Sequence, residues 1–276
     1  MTLKLVAIDL DDTLLDSTLS ISGPCKNNIR AAREKGVIIT LATGRMYSSA
    51  LPFALQLEVD VPLITYQGAL VKNSQTQQVL YYQPLAPDMA VAVMKYFQKA
   101  GVHYHSYFDD QLCLESRSEE GMDYAQLAGV EPLIVPSLVD ACRQGQEALK
   151  IMAVNRDQER LLEMEKDLKH IYGSSLHITR SKPYYLEIMN PQANKALALK
   201  TLAEHFGIQQ REVMALGDSY NDMEMIKWAG LGVAMGNAPA EVKRVADFVT
   251  ASNDEDGVAQ ALQYWILGKE QSKNEY

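Results

Sequence analysis

Residues 3–15 read LKLVAIDLDDTLL, and this stretch decides how the rest of the chain is read. Its first half is a short, nearly continuous apolar run, the pattern of a buried strand. It runs straight into carboxylates at Asp9, Asp11 and Asp12. If extended geometry continues past the strand, Asp9 and Asp11, two positions apart, leave on the same face. Two carboxylates held side by side repel, and each costs free energy to desolvate. A polar turn at a strand end would account for them, because Asp is common there. So would a site that needs negative charge, for a metal ion or for covalent chemistry. The choice depends on whether the chain also supplies a further metal ligand, a phosphate cradle and a cation.

Outward from this stretch the pattern alternates. Ser22 can cap a helix, Pro24 suits its first turn and Gly36 ends it. An apolar strand is expected over 37–42, then the turn Thr43-Gly44-Arg45, a helix over 47–57 that Pro52 could kink, and a strand over 63–66. Gln67-Gly68 reads as a turn, and 69–72 with 79–82 as a hairpin. Residues 83–87, QPLAP, break the rhythm as a linker. A helix over 88–100 follows, then short paired strands near 103–108 and 112–115, and strands near 149–154, 176–179 and 184–189 among helical stretches. That mixture fits a small α+β domain. Asn190-Pro191-Gln192 forms a second linker. The first rhythm then returns, with a helix over 195–206, strands at 212–216, 231–235 and 248–250, helices near 222–229, 237 and 258–267, and a polar, frayed tail from 268. The expectation is an α/β fold: a Rossmann-like parallel-sheet core from 1–82 and 190–276, interrupted by an inserted α+β domain at 83–189.

Bulk properties narrow the class. A chain of 276 residues holds one or two domains, and its 47% hydrophobic content supports sizeable cores. A net charge of −9 argues against a nucleic-acid footprint. Cys25, Cys113 and Cys142 are odd in number and far apart, which suits reduced thiols. Asp9, Asp11 and Asp12 interrupt the N-terminus too early for a signal peptide, and no apolar run approaches the ~20 residues of a membrane span. A cytoplasmic protein, monomeric or weakly dimeric, is expected.

In an open parallel sheet, ligands bind beyond the carboxyl ends of the strands. Three strand ends carry polar residues: Asp9 and Asp11; Thr43-Gly44-Arg45; and 217–222, GDSYND. Asp9, Asp11, Asp218 and Asp222 would share one crevice and need a cation. Oxygen ligands without His or Cys favour a hard ion, and Mg²⁺ is the usual partner of phosphoryl groups. Thr43, the Gly44 N–H, Arg45 and Lys195 add donors and positive charge suited to a phosphate dianion.

These residues resemble the motifs of the haloacid dehalogenase (HAD) superfamily. Asp9-Leu10-Asp11-Asp12-Thr13 resembles the first, Thr43 the second, Lys195 the third and 217–222 the fourth. Their order, and an insertion between the second and third, resemble the Cof-type sugar-phosphatase branch, with 83–189 as its cap. The resemblance implies a phosphatase acting on small phosphorylated metabolites. Asp9 would be the nucleophile and Asp11 the general acid and base. Mg²⁺ would be held by Asp9, the Asp11 backbone carbonyl and Asp218, with Asp222 orienting its waters. Thr43, Gly44 and Lys195 would grip the phosphoryl oxygens, helped by the Leu10 N–H and Asn221. Asp12 stands where the branch often has Gly, and Gln67 where it often has Asn.

Several residues keep two readings. Arg45 could contact substrate or form an ion pair. His103 and His105 share a strand face and could bind a metal, although half-buried strand histidines are commoner. Met214, Met223, Met225 and Met235 read as packing. Glu187 could serve hinge, cap core or substrate contact. Among functions, a phosphomutase, a signalling receiver and a non-catalytic phosphometabolite-binding regulator compete. Asp11 and the long insert argue against a receiver, and the full motif set against a regulator.

Overall fold

The computed structural model describes residues 2–268, so the tail read as frayed lies outside the described residues apart from Gly268. The chain begins with β1 (Leu5–Ile8), α1 (Gly23–Glu34), β2 (Ile38–Leu41), α2 (Tyr47–Gln56), β3 (Pro62–Thr65), β4 (Leu70–Asn73) and β5 (Val79–Tyr82). The insert contributes α3 (Pro87–Ala100), β6 (His103–Phe108), β7 (Gln111–Leu114), α4 (Glu119–Ala128), β8 (Leu133–Ile134), α5 (Leu138–Arg143), β9 (Ala148–Val154), α6 (Gln158–Tyr172), β10 (His177–Lys182) and β11 (Tyr185–Met189). The chain returns through α7 (Lys195–His205), β12 (Val213–Gly217), α8 (Met223–Trp228), β13 (Leu231–Ala234), α9 (Ala240–Lys243), β14 (Phe248–Val249) and α10 (Gly257–Leu262).

The first sheet is parallel, in the order β14-β13-β12-β1-β2. A parallel bridge between Ala42 and Ile64 attaches β3, which continues antiparallel into β4 and β5. The apolar run of β1 follows from its central place. Val6 and Ile8 feed one apolar cluster, while Leu5 and Ala7 feed another on the opposite face. A strand covered on both sides needs no polar alternation. α1 follows its local signals: the Ser22 hydroxyl accepts the Cys25 N–H, Pro24 lies in the first turn, and Gly36 has φ +83°. α2 runs through Pro52.

The insert forms a six-stranded sheet, β10-β11-β9-β6-β7-β8, largely antiparallel. Alternation divides its two faces. Ile151, Ala153, Leu186 and Ile188 pack in an apolar cluster with α3, α5 and α6. The other face carries His105, Tyr107, Lys150, Met152, Tyr185 and Glu187, and it meets the parallel-sheet unit. Tyr107, Leu112, Leu114, Ala125 and Leu149 join the apolar cluster of that unit. The two chain crossings are tied together, because the Asn190 amide donates to the Pro84 carbonyl at 2.7 Å.

Some boundaries differ from expectation. The strand expected over 176–179 runs to Lys182. The helix expected from Asp222 begins with a 3₁₀ turn, Tyr220–Asp222, before α8. β8 was not foreseen, because a two-residue strand carries no periodicity.

Candidate active site

Because β1 lies between β2 and β12, the polar residues that follow these three strands meet at one edge of the sheet. Asp9 follows β1, Thr43-Gly44-Arg45 follows β2, and Asp218 to Asp222 follow β12. Asp9, Asp218 and Asp222 bring carboxylate oxygens within 4.8 Å of one another, so this group could hold a metal ion. Lys195, at the start of α7, closes the group from the side. Its Nζ donates to Asp9 Oδ1 and Asp222 Oδ1, each at 2.6 Å. Asp222 is fully buried, and its other oxygen accepts the backbone N–H groups of Asp218 (3.2 Å) and Ser219 (3.0 Å). That fold-back needs glycine at 217, where a Cβ would lie 2.5 Å from the Asp222 side chain. Asp218 is steadied by the Thr13 hydroxyl, which donates to Oδ1 at 3.0 Å.

The electrostatics follow from burial. Desolvation raises the Asp9 carboxyl well above its ordinary value; Lys195 opposes this, and the charges of Asp222, Asp218 and Asp11 add to it. Burial, then the charge of Asp222, pushes Asp218 up to about 7. Burial alone would lower the Lys195 ammonium, but Asp222 and Asp9 more than offset it and hold it above its ordinary value. Three carboxylates thus share one ammonium at the floor of a cavity.

Asp11 lines the same cavity as Asp9. The turn closes after it, where Asp12 has φ +58° and the Leu14 and Leu15 N–H groups fold back onto the Asp9 and Leu10 carbonyls. The Asp11 carboxylate lies outside the metal-competent group and is held by Arg45. Arg45 Nη2 donates to Oδ1 at 2.6 Å, and Nε to Oδ2 at 2.9 Å. Of the two readings of Arg45, the structure shows the ion pair, with the guanidinium also 5.1 Å above Phe53. Both Asp11 and Arg45 still line the cavity.

Around Thr43 and Gly44 the backbone is tightly held. Buried Thr43 accepts the Arg45 N–H on its hydroxyl at 3.1 Å and the Gln67 N–H on its carbonyl at 3.0 Å. Tyr66 and Gln67 both have positive φ, 51° and 57°. This strained turn presses the Gln67 amide onto Gly44, where a Cβ would lie 2.3 Å from Gln67 Nε2. Gln67 Oε1 accepts the Asn221 amide at 2.8 Å, while Asn221 Oδ1 is buried without a partner among the described residues. Gln67 thus links the turn after β2 to the turn after β12.

A cavity of about 320 Å³ lies above these residues, and the insert forms its roof. Contacts across it hold the two units together. Asp110, between β6 and β7, accepts the N–H groups of Tyr47 and Ser48 at the start of α2, each at 2.8 Å, and the Tyr66 hydroxyl at 2.7 Å. Lys150 reaches from β9 to the Gly44 carbonyl at 3.1 Å. The sequence alone points to no role for Asp110 or Lys150, and names Thr13 only as the end of the first motif. The one available signal was a lysine inside the apolar run ALKIMAV at 148–154, matched by Glu187 inside YLEIM at 185–189. His103 and His105 hydrogen-bond each other, Ser118 and Tyr107, and belong to no metal-competent group among the described residues.

A family model of haloacid dehalogenase-like hydrolases matches residues 6–262. The 5-amino-6-(5-phospho-D-ribitylamino)uracil phosphatase YcsE of Bacillus subtilis is 33% identical over 265 residues, covering 96% of each chain. A haloacid dehalogenase-like hydrolase from Bacteroides thetaiotaomicron superposes with a TM-score of 0.86 at 30% identity, covering 95% of this chain and 98% of that one. The subclass IIB sugar phosphatase BT4131 superposes with a TM-score of 0.79 at 26% identity, covering 94% and 97%. With its parallel-sheet core, its inserted α+β cap and these relatives over nearly its whole length, the chain belongs to the haloacid dehalogenase-like hydrolases and is a phosphatase among them.

Proposed function

We propose that this phosphatase hydrolyses small phosphorylated metabolites, sugar and polyol phosphates foremost, using Mg²⁺ and an aspartyl-phosphate on Asp9. The observation that carries the reading is the Asp9–Asp218–Asp222 group, closed by Lys195 and roofed by the insert over a cavity of metabolite size. The residues fit a hard cation, because every donor in the group is a carboxylate oxygen, and burial together with the neighbouring carboxylates raises the Asp9 and Asp218 carboxyls against the opposing charge of Lys195. Asp9, Asp218 and the Asp11 carbonyl would hold Mg²⁺, with Asp222 orienting its waters. When bound, the ion neutralises charge on the phosphoryl oxygens.

The chain's own residues do the rest. The Asp9 carboxylate forms a bond to phosphorus as the bond to the leaving oxygen breaks. Asp11 gives that oxygen a proton, then takes one from the water that releases phosphate from Asp9. Arg45 fixes the direction of the Asp11 carboxylate. Thr43, Gly44 and Lys195, with the Leu10 N–H and Asn221, grip the transferring group. Residues 83–189 serve as the cap that excludes water and selects the organic part. The substrate in YcsE's name carries a phosphorylated ribityl chain and falls within the proposed class.

The test is phosphate release from a panel of phosphometabolites. Wild type should be active with Mg²⁺ and silent in EDTA, and Asp9→Asn should lower kcat by about 10³-fold or more with the fold intact. Activity unaffected by EDTA would overturn the metal assignment. Near-wild-type turnover by Asp9→Asn would overturn the nucleophile. Return of an isomeric phosphate in place of inorganic phosphate would identify a mutase.

A further inference from the structure

Lys150 and Glu187 are both almost fully buried, on adjacent strands of the insert's sheet and on the face that lines the cavity. Their pairing is incomplete. Lys150 Nζ stands 3.5 Å from Glu187 Oε2, a charge contact too loose for a hydrogen bond, and Oε2 has no hydrogen-bond partner. The ammonium is otherwise occupied by the Gly44 carbonyl at 3.1 Å and by the Tyr107 ring, whose centroid lies 4.9 Å away. A buried carboxylate oxygen left in this state is costly unless something else satisfies it. No further side chain among the described residues does so.

We propose that Glu187, held by Lys150, reads a hydroxyl group on the leaving portion of the substrate. The proposal rests on the phosphatase reading above and names the chemistry of the part that the cap selects. The unpartnered carboxylate oxygen, buried at the cavity wall, calls for a hydrogen-bond donor. A cationic donor is disfavoured, because Lys150 already balances the charge of Glu187. An anionic group without a proton to donate, or an apolar one, would leave the oxygen unpaired. A neutral hydroxyl satisfies all three conditions. Met152, Tyr124 and Tyr185 line the same cavity and suit the carbon skeleton of a sugar or alditol. Because Lys150 also holds the Gly44 carbonyl, the residue that orients Glu187 touches the turn expected to bind phosphate. Lys150 is therefore a positioning residue, and Glu187 the specificity-determining one.

The experiment compares ribitol 5-phosphate, pentyl phosphate and p-nitrophenyl phosphate with Mg²⁺, in wild type, Glu187→Gln and the double variant Lys150→Met with Glu187→Leu. A site built to bond a hydroxyl rejects an analogue lacking it by up to about 10⁴-fold. Wild type should prefer ribitol 5-phosphate over pentyl phosphate by roughly 100-fold or more in kcat/KM, and the double variant should shrink that ratio at least about 30-fold. Glu187→Gln, which keeps shape and loses charge, should fall between them, with the change mainly in KM. The double variant replaces the pair by apolar side chains, so no lone charge is left to unfold it. The aryl phosphate reports whether the catalytic core survives. A ratio unchanged across the variants, with p-nitrophenyl phosphate still hydrolysed, would show the pair to be structural. Failure of wild type on all three esters would overturn the phosphatase reading and this inference together.

Discussion

Two buried lysines, Lys195 in the parallel-sheet core and Lys150 in the cap, stand in opposite states of satisfaction. Lys195 touches two carboxylates at 2.6 Å, and that of Asp222 is fixed in turn by the N–H groups of Asp218 and Ser219. Lys150 has one carboxylate at 3.5 Å, one carbonyl and an aromatic face. Burial would lower both ammonium groups, yet carboxylate neighbours keep both raised, Asp222 and Asp9 for Lys195 and chiefly Glu187 for Lys150. The core therefore carries a site already assembled in short, charge-assisted bonds. The cap carries a pair with bonding capacity to spare. A catalytic site must hold its geometry before substrate arrives, whereas a specificity site gains by being completed by substrate.

The contrast can be broken most severely at Lys195. Lys195→Met leaves three carboxylates crowded without a cation. Turnover should fall by about 10³-fold or more, and unfolding in urea with EDTA should show a loss of about 3–5 kcal/mol. A loss below 1 kcal/mol would mean that the core pair is no better built than the cap pair.

Lys150 gives the sharper test. Lys150→Met strands Glu187 and should cost about 2–4 kcal/mol in the same urea assay. Adding Glu187→Leu should recover most of that loss, since an apolar pair replaces an ionic one. If the double variant is as unstable as the single one, the two residues do not act as a unit.

A smaller effect concerns pH. In EDTA, Asp218 holds its proton up to about pH 7 in the folded protein, while the unfolded chain releases it near the ordinary carboxyl value. Between those values the folded state binds more protons, so stability should fall as pH rises from about 4 to 7. Mg²⁺ favours the ionised form and should flatten that slope. Urea midpoints at pH 5 and pH 8, with and without Mg²⁺, measure it.

The smallest change is expected at Asp110, which docks the cap on α2 without touching the proposed chemistry. Asp110→Asn keeps one acceptor oxygen and should raise KM about three- to tenfold with little change in kcat. A fall in kcat with unchanged KM would place the cap's role in the chemical step.

Much of the core was legible in the sequence because its signals are local. The apolar run before Asp9, the GDSYND turn after Met214-Ala215-Leu216 and the Ser22–Pro24–Gly36 punctuation each state their structure within a few residues. What could not be read depends on partners set by tertiary register. Spacing puts Asp11 near Asp9, but the ion pair that holds its carboxylate depends on Arg45, 34 residues away. Lys150 and Glu187 meet only because β9 and β11 pair antiparallel, and nothing near either residue announces the other. Gln67 looked like a mild departure from the family pattern. In the fold it bridges Gly44 and Asn221, a role visible only once the two turns are placed side by side.

The sheet order has a consequence for how the molecule comes into being. β1 is hydrogen-bonded to β2, which is made soon after it, and to β12, which is made far later. Thr13 and Asp218, joined across the site, are 205 residues apart. At about 5–20 residues per second, roughly ten to forty seconds of synthesis separate them. Through that interval the strand bearing Asp9 offers an open edge, the kind of surface that recruits stray strands. The insert, with its own sheet, helices and apolar cluster, is complete before β12 emerges and can fold in the meantime. In the nascent chain, the insert that roofs the cavity is finished before the strand that completes its floor.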